Sequence, residues 1–179
     1  GAFNWLVQVI LNNKFMNGKA WFTVWFVLLF AWFMGCHNSI IMCVIFCAFA
    51  NAIFKQVGLE KNHPLIVAMY LGIAYACMMG QILFPFISTG LTLVMAYGAM
   101  FPNNPIDMVP YLVYMVIVGI AMCTVYIALM KFVFRIDVSK IANFKTEGGA
   151  PAATREQKIG LIFFLIFIII MLAMSLAPA

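Results

Sequence analysis

Two polar strings sit inside otherwise apolar runs of this chain: His37-Asn38-Ser39, and Gly80-Gln81 followed by Pro85 and Ser88-Thr89-Gly90. Their chemistry is that of neutral amides and hydroxyls. Up to Met130 no Arg, Lys, Asp or Glu falls within an apolar span, so a site built here must work through side-chain dipoles, hydroxyls and freed backbone groups. Asn38 offers a carbonyl oxygen, and Ser39, Ser88 and Thr89 offer hydroxyls that both donate and accept. Gln81 reads as a structural hydrogen-bonder. Acid–base catalysis has little footing: Glu60, Asp107, Asp137, Glu147 and Glu156 all fall in loops, no pair of them is positioned to share a reaction, and no catalytic residue is assigned.

The elements carrying these strings are unusual. Leu65–Met100 is uncharged and long enough to cross a bilayer, yet Gly80, Pro85 and Gly90 interrupt it. Proline lacks the N–H a helix needs, and glycine weakens helix on either side. In hydrocarbon, freed backbone groups must find partners within the protein or in a water-filled cavity. The spacing therefore predicts a broken helix over 65–100, unwound through Gly80–Gly90. Half-helices meeting at a polar break are one way secondary transporters build ion and substrate sites.

Upstream, Ala20–Met34 and Ile40–Phe54 are apolar arms joined by Gly35-Cys36-His37-Asn38-Ser39. An arm of about 15 residues reaches roughly 22 Å, short of a hydrocarbon core of about 30 Å. Lysines flank both outer ends, Lys14 and Lys19 before and Lys55 and Lys61 after, which places both feet on the cytoplasmic side. This predicts a re-entrant hairpin over 20–54, with two short spans as the alternative.

Composition agrees with a membrane setting. The chain is 66% hydrophobic and 8% charged, with mean hydropathy +1.09, far from a soluble domain, so the lipid bilayer is its first expected partner. The net charge of +5 does not point to nucleic acid, because Lys131, Arg135, Lys140, Lys145, Arg155 and Lys158 gather in or beside one polar loop, as in positive-inside topology. Cys36, Cys43, Cys47, Cys77 and Cys123 lack metal or redox spacing and read as small buried hydrophobes. His63 lies in a turn and is given no role; the aromatic string from Trp21 to Phe33 reads as packing and lipid-facing surface.

The expected organisation follows. Residues 1–19 form an interfacial amphipathic helix and a basic turn. Residues 20–133 hold transport and scaffold elements: the hairpin, the broken helix, and a span over 108–133 after an outer loop without Lys or Arg. Residues 134–158 form a cytoplasmic linker, and 159–179 a further span. The fold class is an all-α membrane protein, a polytopic helical bundle with a re-entrant hairpin and a broken transmembrane helix. The chain opens on Gly1-Ala2-Phe3-Asn4 without a recognisable signal peptide, and reads as an internal piece of a larger multi-pass protein of a bacterial inner (plasma) membrane.

The order of these motifs, with Ala74-Tyr75-Ala76-Cys77-Met78-Met79-Gly80 running into the break and Leu129-Met130-Lys131-Phe132-Val133-Phe134-Arg135-Ile136-Asp137-Val138-Ser139-Lys140 after the long span, resembles the divalent anion:sodium symporter family, within the wider ion transporter superfamily. Its members include di- and tricarboxylate, citrate and sulfate transporters. The resemblance covers nearly the whole chain. In that family each inverted repeat carries a Ser-Asn-Thr motif at a hairpin tip and a glycine-rich break ending in Gly-Thr/Ser-Pro-Pro-Asn. Here His37 replaces the first Ser of the tip, Asn38 and Ser39 keep the Asn and the hydroxyl, Gly80 matches the leading glycine, and Ser88 falls at the Thr/Ser. Ile87 stands at the second glycine, and Thr89-Gly90-Leu91 at Pro-Pro-Asn.

The resemblance implies a partial inverted-repeat transporter that couples uptake of a small divalent anion to sodium, with no other cofactor, and that forms a homodimer when full length. It implies sodium contacts from Asn38, Ser39, Gly80, Ile87 and Ser88, and substrate contacts from Asn38, Ser39, Ser88 and Thr89. His37 is either a buried neutral imidazole or a titrating group that makes a proton the coupling ion. Two rivals stand beside this reading. A non-transporting membrane anchor or assembly subunit predicts continuous helices at both polar interruptions. A channel would use the broken helix as a filter, but no ring of charges or carbonyl repeat supports it.

Overall fold

The computed structural model describes residues 19–36, 38–60, 62–84, 88–142, 154, 155, 159, 162, 163 and 166. Among them all regular structure is helical, with no strand. In chain order the elements are α1 (Ala20–Met34), α2 (Ser39–Gln56), α3 (Pro64–Gly80), α4 (Ser88–Met100), α5 (Met108–Ala128), which continues as a π turn over Leu129–Val133, and α6 (Ser139–Ala142). Two of them, Ser39–Gln56 and Met108–Val133, are long and apolar enough to cross a membrane by length and composition. Residues 1–18 of the expected interfacial helix and basic turn over 1–19, and most of the 134–158 linker and 159–179 span, lie outside the described residues.

Local chemistry explains the boundaries. Asn38 caps α2, its Oδ1 accepting from the Ile41 N–H at 3.1 Å, and Lys55 in the last turn complements the helix dipole. With a cap at one end and a cation at the other, α2 runs to 18 residues, longer than the expected arm Ile40–Phe54. At α3, Pro64 occupies the first turn, where its missing N–H costs nothing. His63, given no role from sequence, is the cap: its Nδ1 accepts from the Leu65 N–H at 3.2 Å. Asp107 caps α5 through the Val109 N–H at 3.1 Å. The π turn closes through Phe134 N–H to Leu129 O and Ile136 N–H to Met130 O, each 3.0 Å, with Arg135 in the left-handed region at φ 48°.

The helix interruption is narrower than the expected Gly80–Gly90. Gly80 is still helical, and Ser88, Thr89 and Gly90 form the first turn of α4. Small and hydroxyl residues are well tolerated at a helix start, which lets α4 begin early. Residues 81–84 are the described unwound stretch; Pro85 and Ile87 lie outside the described residues.

Packing centres on α3, which lies against both α1 and α2. At their C-terminal ends α1 and α3 meet backbone to backbone. A Cβ on Gly35 would lie 2.4 Å from the Cys77 carbonyl oxygen, and one on Gly80 would lie 2.1 Å from the Trp32 carbonyl oxygen. The tip after α1 and the break after α3 are thus held at one level. Antiparallel to both runs α5. Trp25 Nε1 donates to Thr124 Oγ1 at 3.1 Å, Tyr126 donates to the Ala68 carbonyl at 2.7 Å, and the Trp32 ring covers Gly119.

At 1.5 Å per residue α1 is about 22 Å long, and the 26-residue α5 with its π turn about 39 Å. Trp32 near the end of α1 meets Gly119, about 16 Å of helix short of Met108, so the tip stops well inside the length of α5. The outward face of α5 is apolar and uncovered: Val109, Val113 and Ile117 are 56–68% exposed. Cys36, Cys77 and Cys123 are buried free thiols, and Cys43 and Cys47 half-buried ones.

Near the foot of the bundle, Lys140 Nζ reaches the Gly58 carbonyl at 3.2 Å, and Val138 and Ile141 are buried. The Ser139 backbone N–H, then its hydroxyl, hold the Asp137 carboxyl below its ordinary range, with His63 and Lys140 adding to the effect.

Two outcomes follow. Gly80→Ala forces a methyl into a backbone carbonyl, a clash of the overpacking kind that costs about 1–3 kcal/mol or more. Gly98, with nothing within 4 Å of its added Cβ, takes Ala with a gain of up to about 1 kcal/mol. Thermal unfolding of the purified variants checks this; equal midpoints would refute the close approach. For Asp137, a lowered folded-state pKa means the cap stabilises fully above the ordinary carboxylate pKa and is lost as pH falls through the lowered one. A carboxyl NMR titration should find Asp137 below free aspartate, and Asp137→Asn should remove the acid-dependent exchange of the Ser139 amide.

Candidate functional site

The tip and the break form one polar junction. Ser39 opens α2 and is buried. Gln81 is the first residue beyond α3, and Thr89 lies in the first turn of α4. The Gln81 side chain joins them: its Nε2 donates to Ser39 Oγ, and Thr89 Oγ1 donates to its Oε1 at 2.8 Å. One amide thus bridges the hairpin and the interrupted helix, and every member of the chain of bonds is uncharged.

Of the residues singled out from sequence, the structure brings Ser39 and Thr89 together through Gln81. Asn38 is next to Ser39 but exposed, with its Oδ1 already accepting from Ile41. The Gly80 carbonyl, expected to be freed by unwinding, accepts from the Leu83 N–H at 3.0 Å. A carbonyl has two lone pairs, so Gly80 and Asn38 each keep one acceptor position beyond these bonds. Ser88 starts α4, but its side chain, together with Ile87 and His37, lies outside the described residues.

Gln81 is the hydrogen-bonder expected from sequence, and both partners of its amide are residues expected to form the site. One participant escapes sequence inspection. Tyr111 on α5 donates to the Ile82 carbonyl at 2.6 Å, satisfying a backbone acceptor in the unwound turn from a neighbouring helix. Nothing local to Tyr111 marks it, since its partner is 29 residues away.

Four helix ends converge on this junction. α1 and α3 bring their C-terminal ends, touching at Gly35 and Gly80; α2 and α4 bring their N-terminal ends at Ser39 and Ser88. Helix N-termini carry partial positive charge and C-termini partial negative charge, so the junction offers both polarities without an ionised side chain. Beside it, between α1, α3 and α5, lies a small hollow lined by Trp32, Leu83, Met115 and Met122. Its walls are apolar, so water finds few partners there. Among the described residues no group of three His, Cys, Asp or Glu side chains could hold a metal ion. The donors present are neutral oxygens, which suit a hard monovalent cation more than a transition metal.

No family model, curated protein or solved structure matches this chain.

Tyr111→Phe keeps the ring and deletes the donor, leaving the Ile82 carbonyl without that partner, a loss of about 1–3 kcal/mol. Thermal unfolding should show it, and a midpoint equal to the parent's would mean the bond contributes nothing.

Proposed function

We propose that the protein is part of a secondary active transporter, a sodium-coupled symporter of a small divalent anion such as a di- or tricarboxylate. The observation that carries this reading is the uncharged bridge Ser39–Gln81–Thr89 across an interrupted helix, at a point where two helix N-termini and two C-termini meet. Positive helix ends favour an anion, and negative ends with carbonyl and hydroxyl oxygens favour a cation. A symporter needs both at one place.

On this reading the chain is a multi-pass protein of a bacterial inner membrane. α1, about 22 Å long beside a helix of about 39 Å, then belongs to a re-entrant hairpin whose foot is marked by exposed Lys19 and Lys55 and whose tip lies at depth. The hydrogen bonds from Trp25, Tyr111 and Tyr126 tie α1 and α3 to α5, so these helices shift as one body when access alternates. The rest of the chain supplies the scaffold, a second inverted repeat with the other half of the site, and the dimer contact. A non-transporting assembly subunit fits less well, because its helices should continue past Met34 and Gly80, whereas Gly35, Cys36 and residues 81–84 are not helical.

The test is uptake of succinate, citrate and sulfate by the full-length protein in liposomes, with and without an inward sodium gradient. Sodium-stimulated uptake that falls at least tenfold in Asn38→Ala is the expected result. Asn38→Ser retains a capping oxygen for Ile41 and separates a lost ligand from a lost cap. Absence of uptake under both sodium and proton gradients would overturn the proposal.

A further inference from the structure

We propose that Gln81 is a positioning residue that sets the hydrogen-bond polarity of the site, turning Ser39 into a donor toward the anion and Thr89 into an acceptor toward the cation, in place of the sodium contact the resemblance implies for Ser39 and the substrate contact it implies for Thr89; the inference rests on the symporter reading above. A hydroxyl can donate one hydrogen and accept at two lone pairs, and which it does depends on its neighbours. Gln81 Nε2 donates to Ser39 Oγ. Because Ser39 accepts there, its own proton is available for another partner, and accepting a bond strengthens it as a donor. At the other end Thr89 donates its only hydroxyl proton to Gln81 Oε1 at 2.8 Å. The Thr89 oxygen is then left with lone pairs alone, and the bond it donates makes it richer in electrons.

An amide is the side chain that can do this. It presents a donor and an acceptor fixed on one planar group, so it imposes opposite senses on two hydroxyls at once. A carboxylate only accepts and would draw both protons inward. The helix ends agree at Ser39, which opens α2, where the positive end of a helix already favours an anion. Thr89 sits in the first turn of α4, so a cation there is drawn by its lone pairs and by the adjacent C-terminus of α3, which Gln81 directly follows, against the dipole of α4 itself. The bridge spans 42 residues between Ser39 and Gln81, so the polarity of the hairpin tip is dictated from the break, and neither element has it alone.

The test uses the full-length protein in liposomes and reads the half-saturation constants for succinate and sodium apart from the maximal rate. Gln81→Glu should raise the succinate constant at least tenfold while the sodium constant stays or falls. Gln81→Met, close in size but without donor or acceptor, should raise both constants severalfold at an unchanged maximal rate. Ser39→Ala should copy the effect on succinate and spare sodium. A purely structural Gln81 would instead lower the maximal rate, or the amount of folded protein, with both constants within twofold of the parent's; that result overturns the assignment and leaves the transport reading intact. Failure of the parent itself to take up anions overturns the transport reading, and this inference falls with it.

Discussion

The contact on which the rest of the structure depends is the meeting of two backbones, α1 with α3, at Gly35 and Gly80. Neither position has room for a Cβ, and the two helices reach van der Waals contact at the ends where their hydrogen-bonding runs out. That approach makes the polar junction. It puts the turn after α1 beside the turn after α3, so the hairpin tip and the helix break become one place. Only then can a side chain from one, Gln81, satisfy a hydroxyl of the other, Ser39. Tyr111 closes the arrangement from outside by capping the Ile82 carbonyl.

The same contact explains why the junction manages without ionised groups. Charges are costly to bury in an apolar setting, and among the described residues Lys55, Asp107, Lys131 and Asp137 lie at the ends of helices or in loops. What remains in the middle is dipolar: helix ends, an amide and hydroxyls. Dipoles are weak singly but can be aimed, and aiming requires rigid supports. Trp25, Trp32 and Tyr126 supply them by locking α5 across α1 and α3.

Much of the all-helical architecture was legible in the residues, because its signals are local. The uncharged stretch after Met108 has the length of a single long helix, and the apolar runs mark the others. Asn38, Pro64 and Asp107 show themselves as helix starts only in their cap bonds and first-turn placement. The break was legible too, from Gly80 and Pro85, but its width was not: Ser88, Thr89 and Gly90 look like breakers in isolation and act as a helix start in context. The length of α2 depended on the combined effect of its cap and Lys55, which extended it past the expected arm. Least legible were the side-chain partnerships. The bonds of Gln81 to Ser39 and of Tyr111 to Ile82 join residues 42 and 29 apart, and no periodicity or motif within either segment encodes them.

The sequence separation of the Ser39–Gln81 bridge has a consequence for biogenesis. A ribosome delivers α1 and α2 well before α3, so the newly made hairpin has neither the backbone of Cys77 to lean on nor the amide of Gln81 to bond. Until some 42 further residues have emerged, the Ser39 hydroxyl has to find its partners elsewhere, and the bare surface at Gly35 waits without its mate. The hairpin is therefore a late-setting element: early in the chain, yet completed only when α3 arrives. Of this pair, the helix made second is the one that shapes the helix made first.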